Sequence, residues 1–185
     1  MFNAFKKKDY LIIDNFLDDS VFLDLENVMV NNRDLPLYFI GEVASTHGTT
    51  SKDVPWSYAF KHHFYNHDRP ESDYFPIIYN TFIPKFDEVL KKYYNTDFKS
   101  LVRCKLNFFP YTKTIKEYDQ HTDQNYFHYG AVFSLNTCNG FTRIGKDIKI
   151  DSIKNRIVFF NSSTPHNSTT TSNCAGRWNI NFNFL

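Results

Sequence analysis

The sequence predicts a mainly β protein with flanking α-helices, folded as a sandwich or a jelly-roll barrel. Two observations support this prediction. Before Asn95, apolar residues recur at helical spacing in two segments; after it, the chain reads as short strands separated by Asn, Gly, Pro, Ser and Thr clusters. Many short strands at close spacing are typical of these two folds. The predicted strands are Leu101 to Phe109, Phe127 to Leu135, Phe141 to Ile144, Ile148 to Ile150, Ile157 to Phe160 and Arg177 to Phe184.

The N-terminal residues predict a strand followed by a helix. Tyr10 to Ile13 form a short apolar run that suits a buried strand. The N-cap residues Asp18 to Ser20 introduce a helix, and its apolar pattern stops at Asn31 and Asn32. Residues 37–43 are expected to be extended, and residues 47–51 are expected to form a loop.

The middle of the chain predicts one more strand and the longest helix. Aromatic residues and a histidine alternate with other residues from Trp56 to Phe64, which favours a strand. From Pro76 to Tyr94 the apolar residues form a helical stripe. Pro84 lies inside this helix and is expected to kink or divide it.

Length and composition indicate a single domain at residues 1–185, in which residues 1–100 support a core formed by residues 101–185. The formal net charge is +1 and no stretch is strongly basic, so neither nucleic acid nor an anionic membrane is an expected partner. No apolar run approaches the length of a transmembrane helix, and Met1 to Asp9 lack the apolar segment of a signal peptide. The three cysteines are odd in number and form no C-x-x-C pair. This cysteine pattern favours a reducing, cytoplasmic location, or the host cytoplasm if a phage encodes the protein.

The triplet His121-Thr122-Asp123 predicts two metal ligands. Side chains at i and i+2 of a strand project from one face, so His121 and Asp123 would reach one ion while Thr122 points away. His166, which follows the buried strand Arg156 to Phe160, would complete the set. Two histidines and one carboxylate form the facial triad of non-heme Fe(II) oxygenases, which leaves positions open for a cofactor and oxygen.

The last predicted strand has one polar and one aromatic face. Trp178, Ile180, Phe182 and Phe184 would pack onto the helices, whereas Arg177, Asn179, Asn181 and Asn183 would line a wet cavity or face solvent. Arg177 offers a rigid fork of donors that matches a carboxylate. Asn179, two residues further on the same face, would add a hydrogen bond to the same ligand.

Together these pieces resemble the 2-oxoglutarate/Fe(II)-dependent oxygenases, in particular the small prolyl-4-hydroxylase-like proteins of phage and bacterial genomes. The N-terminal half fits more loosely, through Ile12 to Leu17 and the helix after it. The matching pieces of the C-terminal half are His121-Thr122-Asp123, the turn Asn139-Gly140-Phe141-Thr142, the strand Asn155 to Phe160, His166, and Arg177 to Phe182.

The resemblance implies a double-stranded β-helix (jelly-roll) core. It implies that His121, Asp123 and His166 bind Fe(II) and are thereby the catalytic ligands, and that Arg177 binds the distal carboxylate of 2-oxoglutarate. The expected reaction consumes O2 and 2-oxoglutarate, hydroxylates a C–H bond and releases succinate and CO2, with ascorbate as a stimulant. Because Asp123 is a carboxylate, hydroxylation is favoured over halogenation, in which halide takes the place of the carboxylate.

The resemblance makes a peptidyl side chain of prolyl type the leading substrate, followed by a free amino acid or another small metabolite. The alternative from another class is a jelly-roll binding or structural module that has lost turnover. Two segments are expected to shape the substrate entrance: the polar loop from Tyr111 to Gln120 and the stretch from Trp56 to His67.

Two departures from the family pattern concern the surroundings of the cofactor. Phe141 stands where the turn normally has a second glycine, and Phe109 or Tyr111 stands near the tyrosine that prolyl hydroxylases carry before the triplet. Four other histidines have no assigned role. A second metal site is suggested by His62, His63 and His67, although surface, core or substrate-cleft positions are the favoured interpretation. The fourth, His128, is a rival metal ligand by position alone.

Overall fold

A computed structural model describes residues 3–6, 10–43 and 54–185. The loop predicted at residues 47–51 lies outside these ranges. Two α-helices are described, α1 (Asp19–Glu26), which continues into a π-helical turn at Asn27–Asn31, and α2 (Phe75–Tyr94). The described strands are β1 (Asn3–Lys6), β2 (Tyr10–Asp14), β3 (Tyr38–Ile40), β4 (Ala59–Asn66), β5 (Arg69–Pro70), β6 (Leu101–Pro110), β7 (Tyr129–Ser134), β8 (Phe141–Ile144), β9 (Ile148–Asp151), β10 (Arg156–Asn161), β11 (His166–Ser168) and β12 (Gly176–Phe184).

Two antiparallel sheets form the core of the fold. In the described part of the chain, the larger sheet has nine strands in the order β1-β2-β10-β7-β12-β6-β4-β3, with β5 paired to β4. The smaller sheet has the order β11-β8-β9. Apolar residues of both sheets contact each other, among them Val132 and Phe160 of the larger sheet and Ile144 and Ile150 of the smaller sheet. The architecture is therefore a jelly roll, as the sequence predicts.

The outer face of the larger sheet carries the main hydrophobic core. Phe82 and Phe86 of α2 pack on Phe182 of β12, with ring centroids 4.7 and 4.9 Å apart. Phe133 of β7 and Phe159 of β10 complete this aromatic cluster. Burying these rings supplies the apolar contact that holds the sheet and the helix together. The aromatic face predicted for the last strand is thus the face that meets the helix.

Most predicted elements agree with the structure. The strand at Tyr10, the first helix and the strand through Phe64 are present. Pro84 does not divide the second helix, which continues from Phe75 to Tyr94, so that part of the prediction was wrong. Pro76 stands in the first turn of that helix, where a missing N–H costs nothing. Within the described residues, no helix has the length and apolar character needed to cross a bilayer.

Candidate functional site

The inner face of the larger sheet is polar where β12 and β6 pair. Cross-strand partners in an antiparallel sheet share a face, so the polar residues of the two strands form a continuous surface. On β12 these residues are Arg177, Asn179, Asn181 and Asn183, and all four are buried. Their partners on β6 are Phe109, Asn107, Lys105 and Arg103, in the same order. A pocket of 280 Å³ lies over this surface, between the two sheets.

The triplet that was predicted on a strand lies instead on an extended segment that pairs at a single point. His121 and His166 exchange backbone hydrogen bonds of 3.0 and 2.9 Å, and the chain bends at Asp123. A regular ladder does not continue past this bridge. The prediction of a strand was therefore wrong, although the bridge itself brings the two histidines together. His166, which was expected to follow the strand Arg156 to Phe160, begins the short strand β11.

The side chains of His121, Asp123 and His166 converge at one end of the pocket. Within the described residues they are the one cluster of potential metal ligands, with ligand atoms within 4.8 Å of one another. His121 Nε2 lies 3.7 Å from Asp123 Oδ1, and His166 Nε2 lies 3.4 Å from Asp123 Oδ2. Ligands about 2.1 Å from one ion and at right angles to each other are about 3 Å apart. The three groups therefore lie close enough for a single metal ion to bind once their ligand atoms draw together.

Asp123 is held by partners on both carboxylate oxygens. Arg103 Nη2 donates to Oδ1 at 2.5 Å, while Asn183 Nδ2 and Ser162 Oγ donate to Oδ2 at 2.8 and 3.0 Å. Burial opposes ionisation of this carboxyl group, but the adjacent imidazoles of His121 and His166 and the charge of Arg103 outweigh it, so the pKa of Asp123 is lowered. Asp123 is an oriented carboxylate at neutral pH.

The ring of His166 is oriented for a ligand at Nε2. Its Nδ1 lies 2.9 Å from the backbone oxygen of Thr164, which can only accept a hydrogen bond. That contact places the ring proton on Nδ1 and leaves the lone pair on Nε2, which faces Asp123. The ring also packs edge-on against Phe160, with centroids 5.0 Å apart.

Arg177 is a buried cation with unused donors. It is 1% exposed, and its Nη2 donates to Thr142 Oγ1 of the opposite sheet at 2.7 Å. Its Nε and Nη1 are buried, and neither has a hydrogen-bond partner among the described residues. Burial lowers the pKa of Arg177 to about 10, so the guanidinium is still charged at neutral pH. A buried charge with two free donors is costly unless an anion meets it.

Asn179 has one used and one unused group. Its Oδ1 accepts a hydrogen bond of 3.0 Å from Asn107 on β6, while its Nδ2 is buried and unpaired within the described residues. The side chains of Asn107 and Asn179 both line the pocket. The free donor of Asn179 therefore adds to those of Arg177 beside the same cavity.

Several pocket residues were not found from the sequence. Phe109 lies beneath Arg177, with the guanidinium carbon 5.7 Å from the ring centroid, and Tyr118 packs on Phe109. The pocket is also lined by three cations from β4 and β6, namely Lys61, Arg103 and Lys105. No sequence motif marks the three cations, because they meet only through the pairing of distant strands, whereas Phe109 and the loop that contains Tyr118 were already singled out from the sequence.

The other histidines lie apart from this cluster. His62 is buried and contacts the Pro36 backbone oxygen and Ser72 Oγ at 2.8 and 2.7 Å. His63 lies 3.3 Å from Glu71, and His128 is buried with its Nδ1 2.9 Å from the backbone oxygen of Tyr126. The described residues contain no second cluster of ligands around these side chains. A wider depression of 520 Å³ between Tyr94 and the β8–β9 turn contains none of the three converging ligands.

No protein-family profile and no curated protein matches the chain. Solved structures do match its fold. A 2OG-Fe(II) oxygenase family oxidoreductase from Burkholderia pseudomallei aligns with a TM-score of 0.67 and 9% identity, over 95% of this chain and 84% of that one. A prolyl hydroxylase from Trichoplax adhaerens, in complex with a hypoxia inducible factor peptide fragment, aligns with a TM-score of 0.63 and 16% identity, over 96% and 84% of the chains. The viral collagen prolyl hydroxylase of Paramecium Bursaria Chlorella virus-1, in its 2OG complex, aligns with a TM-score of 0.58 and 14% identity, over 96% and 97%.

The chain therefore has the fold of the 2-oxoglutarate/Fe(II) oxygenases. Prolyl hydroxylases of animal and viral origin are among the structures it resembles. The family resemblance inferred from the sequence is confirmed at the level of the fold.

Proposed function

We propose that the protein is an Fe(II)- and 2-oxoglutarate-dependent dioxygenase that hydroxylates a C–H bond. One observation carries the proposal. A converging set of two histidines and a carboxylate lines a pocket, and a buried arginine with unused donors contacts Thr142 and Phe109, which line the same pocket. Packing explains neither the converging ligands nor the buried arginine. Together they are the groups expected to bind a metal ion chelated by a dicarboxylic acid.

Fe(II) would be held by His121 Nε2, His166 Nε2 and Asp123. The donor set suits this ion, because imidazole and carboxylate ligands with open positions are typical of non-heme Fe(II) oxygenases. Asn183 and Ser162 hold Asp123 in place from behind, and Thr164 does the same for His166. Such outer contacts orient the ligands before the metal arrives.

The distal carboxylate of 2-oxoglutarate would lie against Arg177. Its unused Nε and Nη1 provide the donors, Thr142 fixes the guanidinium from the other sheet, and Asn179 offers one further N–H. A carboxylate there would satisfy the buried charge that now lacks a counter-ion. The other end of the molecule would lie towards the three metal ligands.

When bound, Fe(II) and 2-oxoglutarate would supply the oxidising chemistry, in which O2 and 2-oxoglutarate are consumed, succinate and CO2 are released, and a C–H bond becomes C–OH. The chain itself binds and orients. Phe109 and Val132 form apolar parts of the pocket lining and limit the access of water. The two sheets hold Arg177 and the ligand cluster at a set separation, which positions the reacting groups.

A peptidyl side chain of prolyl type is the leading substrate in this proposal, and a free amino acid or small metabolite is the alternative. The similarity to two prolyl hydroxylases, one of them in complex with a peptide, supports the first choice. The fold alone does not select a substrate, because one fold supports many activities. Ala59 and Lys61 of the stretch from Trp56 to His67, and Tyr118 of the loop from Tyr111 to Gln120, line the pocket, which supports both segments as parts of the entrance.

The proposal is tested by measuring succinate formed from 2-oxoglutarate by the purified protein with Fe(II), ascorbate and O2. We expect Fe(II)-dependent succinate from the natural chain and none from Asp123→Ala, because the variant loses the carboxylate ligand. Arg156→Met, which breaks a partly buried ion pair with Asp14 outside the pocket lining, is the control and should keep full activity. A candidate substrate would be identified as a product heavier by one oxygen atom.

If the protein binds Fe(II) and 2-oxoglutarate but never forms succinate, it is a binding module that keeps the fold without turnover. A cytoplasmic location is also part of the proposal, since the described cysteines are free thiols. Localisation of a tagged protein in its native cell tests that point, and export of the protein would contradict it.

A further inference from the structure

Two lysines face the candidate site without a counter-ion. Lys61 on β4 pairs with Asn107, and Lys105 lies two residues before Asn107 on β6. The two lysines are thus diagonal neighbours on the inner face, roughly 7–8 Å apart at the backbone. Both line the same pocket as the metal-ligand cluster.

Neither ammonium group has an ion pair or side-chain hydrogen bond with any residue in the described ranges. The acidic residues that line the pocket are Glu42 and Asp123. Asp123 is already engaged by Arg103, and Glu42 is exposed and forms no ion pair among the described residues. Like charges placed side by side are unfavourable, so the arrangement calls for an anion.

The bound cofactors would not supply that anion. In the proposed function, one carboxylate of 2-oxoglutarate lies at Arg177 and the other at the metal, so both ends of the molecule are used. Six positive charges would be carried by the side chains of Arg177, Lys61, Arg103 and Lys105 together with divalent iron. Four negative charges would be carried by Asp123, Glu42 and the two carboxylates of 2-oxoglutarate. The loaded site would keep an excess of two positive charges.

We infer that Lys61 and Lys105 bind an anionic group, a carboxylate or a phosphate, on the primary substrate. The inference rests on the proposed function and adds the chemical class of the substrate. An anion between the lysines would place the attached C–H bond beside the metal cluster, which shares the pocket with them. Lysine suits this task, because its compact charge accepts either group without a set geometry.

The surroundings of Lys105 disfavour its positive charge. Burial and the charge of Arg103 lower the pKa of Lys105 to about 8, and Lys61 acts in the same direction. Asp123 opposes this effect. Lys105 is still mostly protonated at pH 7, and a bound anion would raise its pKa again.

The test measures binding of defined probes to protein loaded with Mn(II) and 2-oxoglutarate, which keeps the site filled without turnover. The probes are tri-glutamate, the neutral isostere tri-glutamine, and inorganic phosphate, and binding of each probe is measured by isothermal titration calorimetry. Loading with Mn(II) and 2-oxoglutarate is checked first. A protein that fails to load contradicts the proposed function, whereas a failure at the probe step contradicts only the anionic substrate.

We expect tri-glutamate or phosphate to bind at least about tenfold more tightly than tri-glutamine, a ratio of the size that one charged pair supplies. Whichever of the two anions binds more tightly identifies the substrate group as a carboxylate or as a phosphate. The double variant Lys61→Gln/Lys105→Gln should lose this preference and bind 2-oxoglutarate within twofold of the natural chain. Lys149→Gln, which changes an exposed lysine on β9, should keep the preference.

Three results would overturn the inference. One is that neither anion binds better than tri-glutamine. Another is that the preference survives in the double variant. The third is a more than tenfold loss of 2-oxoglutarate affinity in that variant, which would assign the lysines to the cofactor instead.

Discussion

Asn183 orients the carboxylate of the candidate metal site without carrying charge. Its Nδ2 donates to Asp123 Oδ2 at 2.8 Å, and its Oδ1 accepts a hydrogen bond of 3.0 Å from Arg103. Asn183→Ala should lower Mn(II) affinity by about tenfold, since outer contacts of this kind typically contribute 10–100-fold. Isothermal titration measures the change. Asn181→Ala, which alters the same face of the same strand without touching Asp123, is the control, and equal losses in both variants would contradict the assignment.

Gly140 leaves room for the stem of Arg177. A Cβ atom at this position would lie 2.9 Å from Arg177 Cδ and 2.7 Å from the backbone oxygen of Thr170. Gly140→Ala should therefore displace the guanidinium and weaken 2-oxoglutarate binding by about 10–100-fold, while metal affinity changes little. Gly145→Asn is the control and should keep its affinity for 2-oxoglutarate. It adds a side chain where no atom lies within 4 Å, at a positive φ that Asn tolerates. Unchanged 2-oxoglutarate affinity in Gly140→Ala would show that Arg177 is not the carboxylate partner.

Residues in local motifs could be predicted from the sequence, and residues joined by strand pairing could not. The short motifs that can be read directly in the sequence contain His121, Asp123, His166 and Arg177. Lys61 and Lys105 meet only because β4 pairs with β6 in one register, with a bulge near His63. A one-residue change of register would send these side chains to the other face of the sheet, and the sequence does not specify the register.

At the level of elements, Asn155 joins the segment between β2 and α1 to the start of β10. Its side chain donates to the backbone oxygen of Leu17 at 2.8 Å and accepts from the Leu17 N–H at 2.9 Å. Its backbone has φ of 60°, a conformation that Asn tolerates better than Ala. The contacts explain how residues far apart in sequence hold β2 beside β10.

Asn155→Ala should lower the free energy of unfolding by about 2–4 kcal/mol, because it removes two buried hydrogen bonds and strains the backbone. Asn155→Gly loses the same hydrogen bonds without the strain, so it should be about 1 kcal/mol more stable than the Ala variant. Urea denaturation measures both values. Equal stability of the two variants would show that backbone strain is absent at this position.

Periodicity predicts the strands and helices well, because their side chains alternate between a core and a polar face. The triplet at 121–123 is the exception. It lies in a polar segment, from Asp119 to Asn125, that has one backbone bridge to β11 rather than a ladder. Alternation over three residues cannot distinguish these two arrangements. The prediction that the two side chains converge did not require a full strand.

For the whole molecule, the lowered pKa of His63 makes the free energy of unfolding depend on pH. Burial, followed by the charges of Lys61 and Lys105, lowers the pKa of His63 to about 4, although Glu71 opposes this. The unfolded chain therefore binds a proton below pH 6.5 that the folded chain binds only near pH 4. Stability from this group is present above pH 6.5 and is lost as the pH falls towards 4.

Protonation of His63 should lower the free energy of unfolding by about 2 kcal/mol when the pH falls from 7 to 5. His63→Gln should remove that part of the pH dependence, because the replacement does not titrate. Urea denaturation of both proteins at the two pH values provides the comparison. His62 titrates with the same sign, so a smaller dependence will remain; an identical dependence in both proteins would mean that His63 titrates normally.

The central claim is that the ligand cluster and Arg177 form one site for a metal-chelated dicarboxylate. Equilibrium binding of 2-oxoglutarate, measured without oxygen and with or without Fe(II), tests it most directly. We predict one bound molecule per chain that requires Fe(II), no binding by Asp123→Ala, and a roughly 100-fold weaker affinity in Arg177→Met with Fe(II) still bound. Binding of equal strength without Fe(II), or in Asp123→Ala, would contradict it.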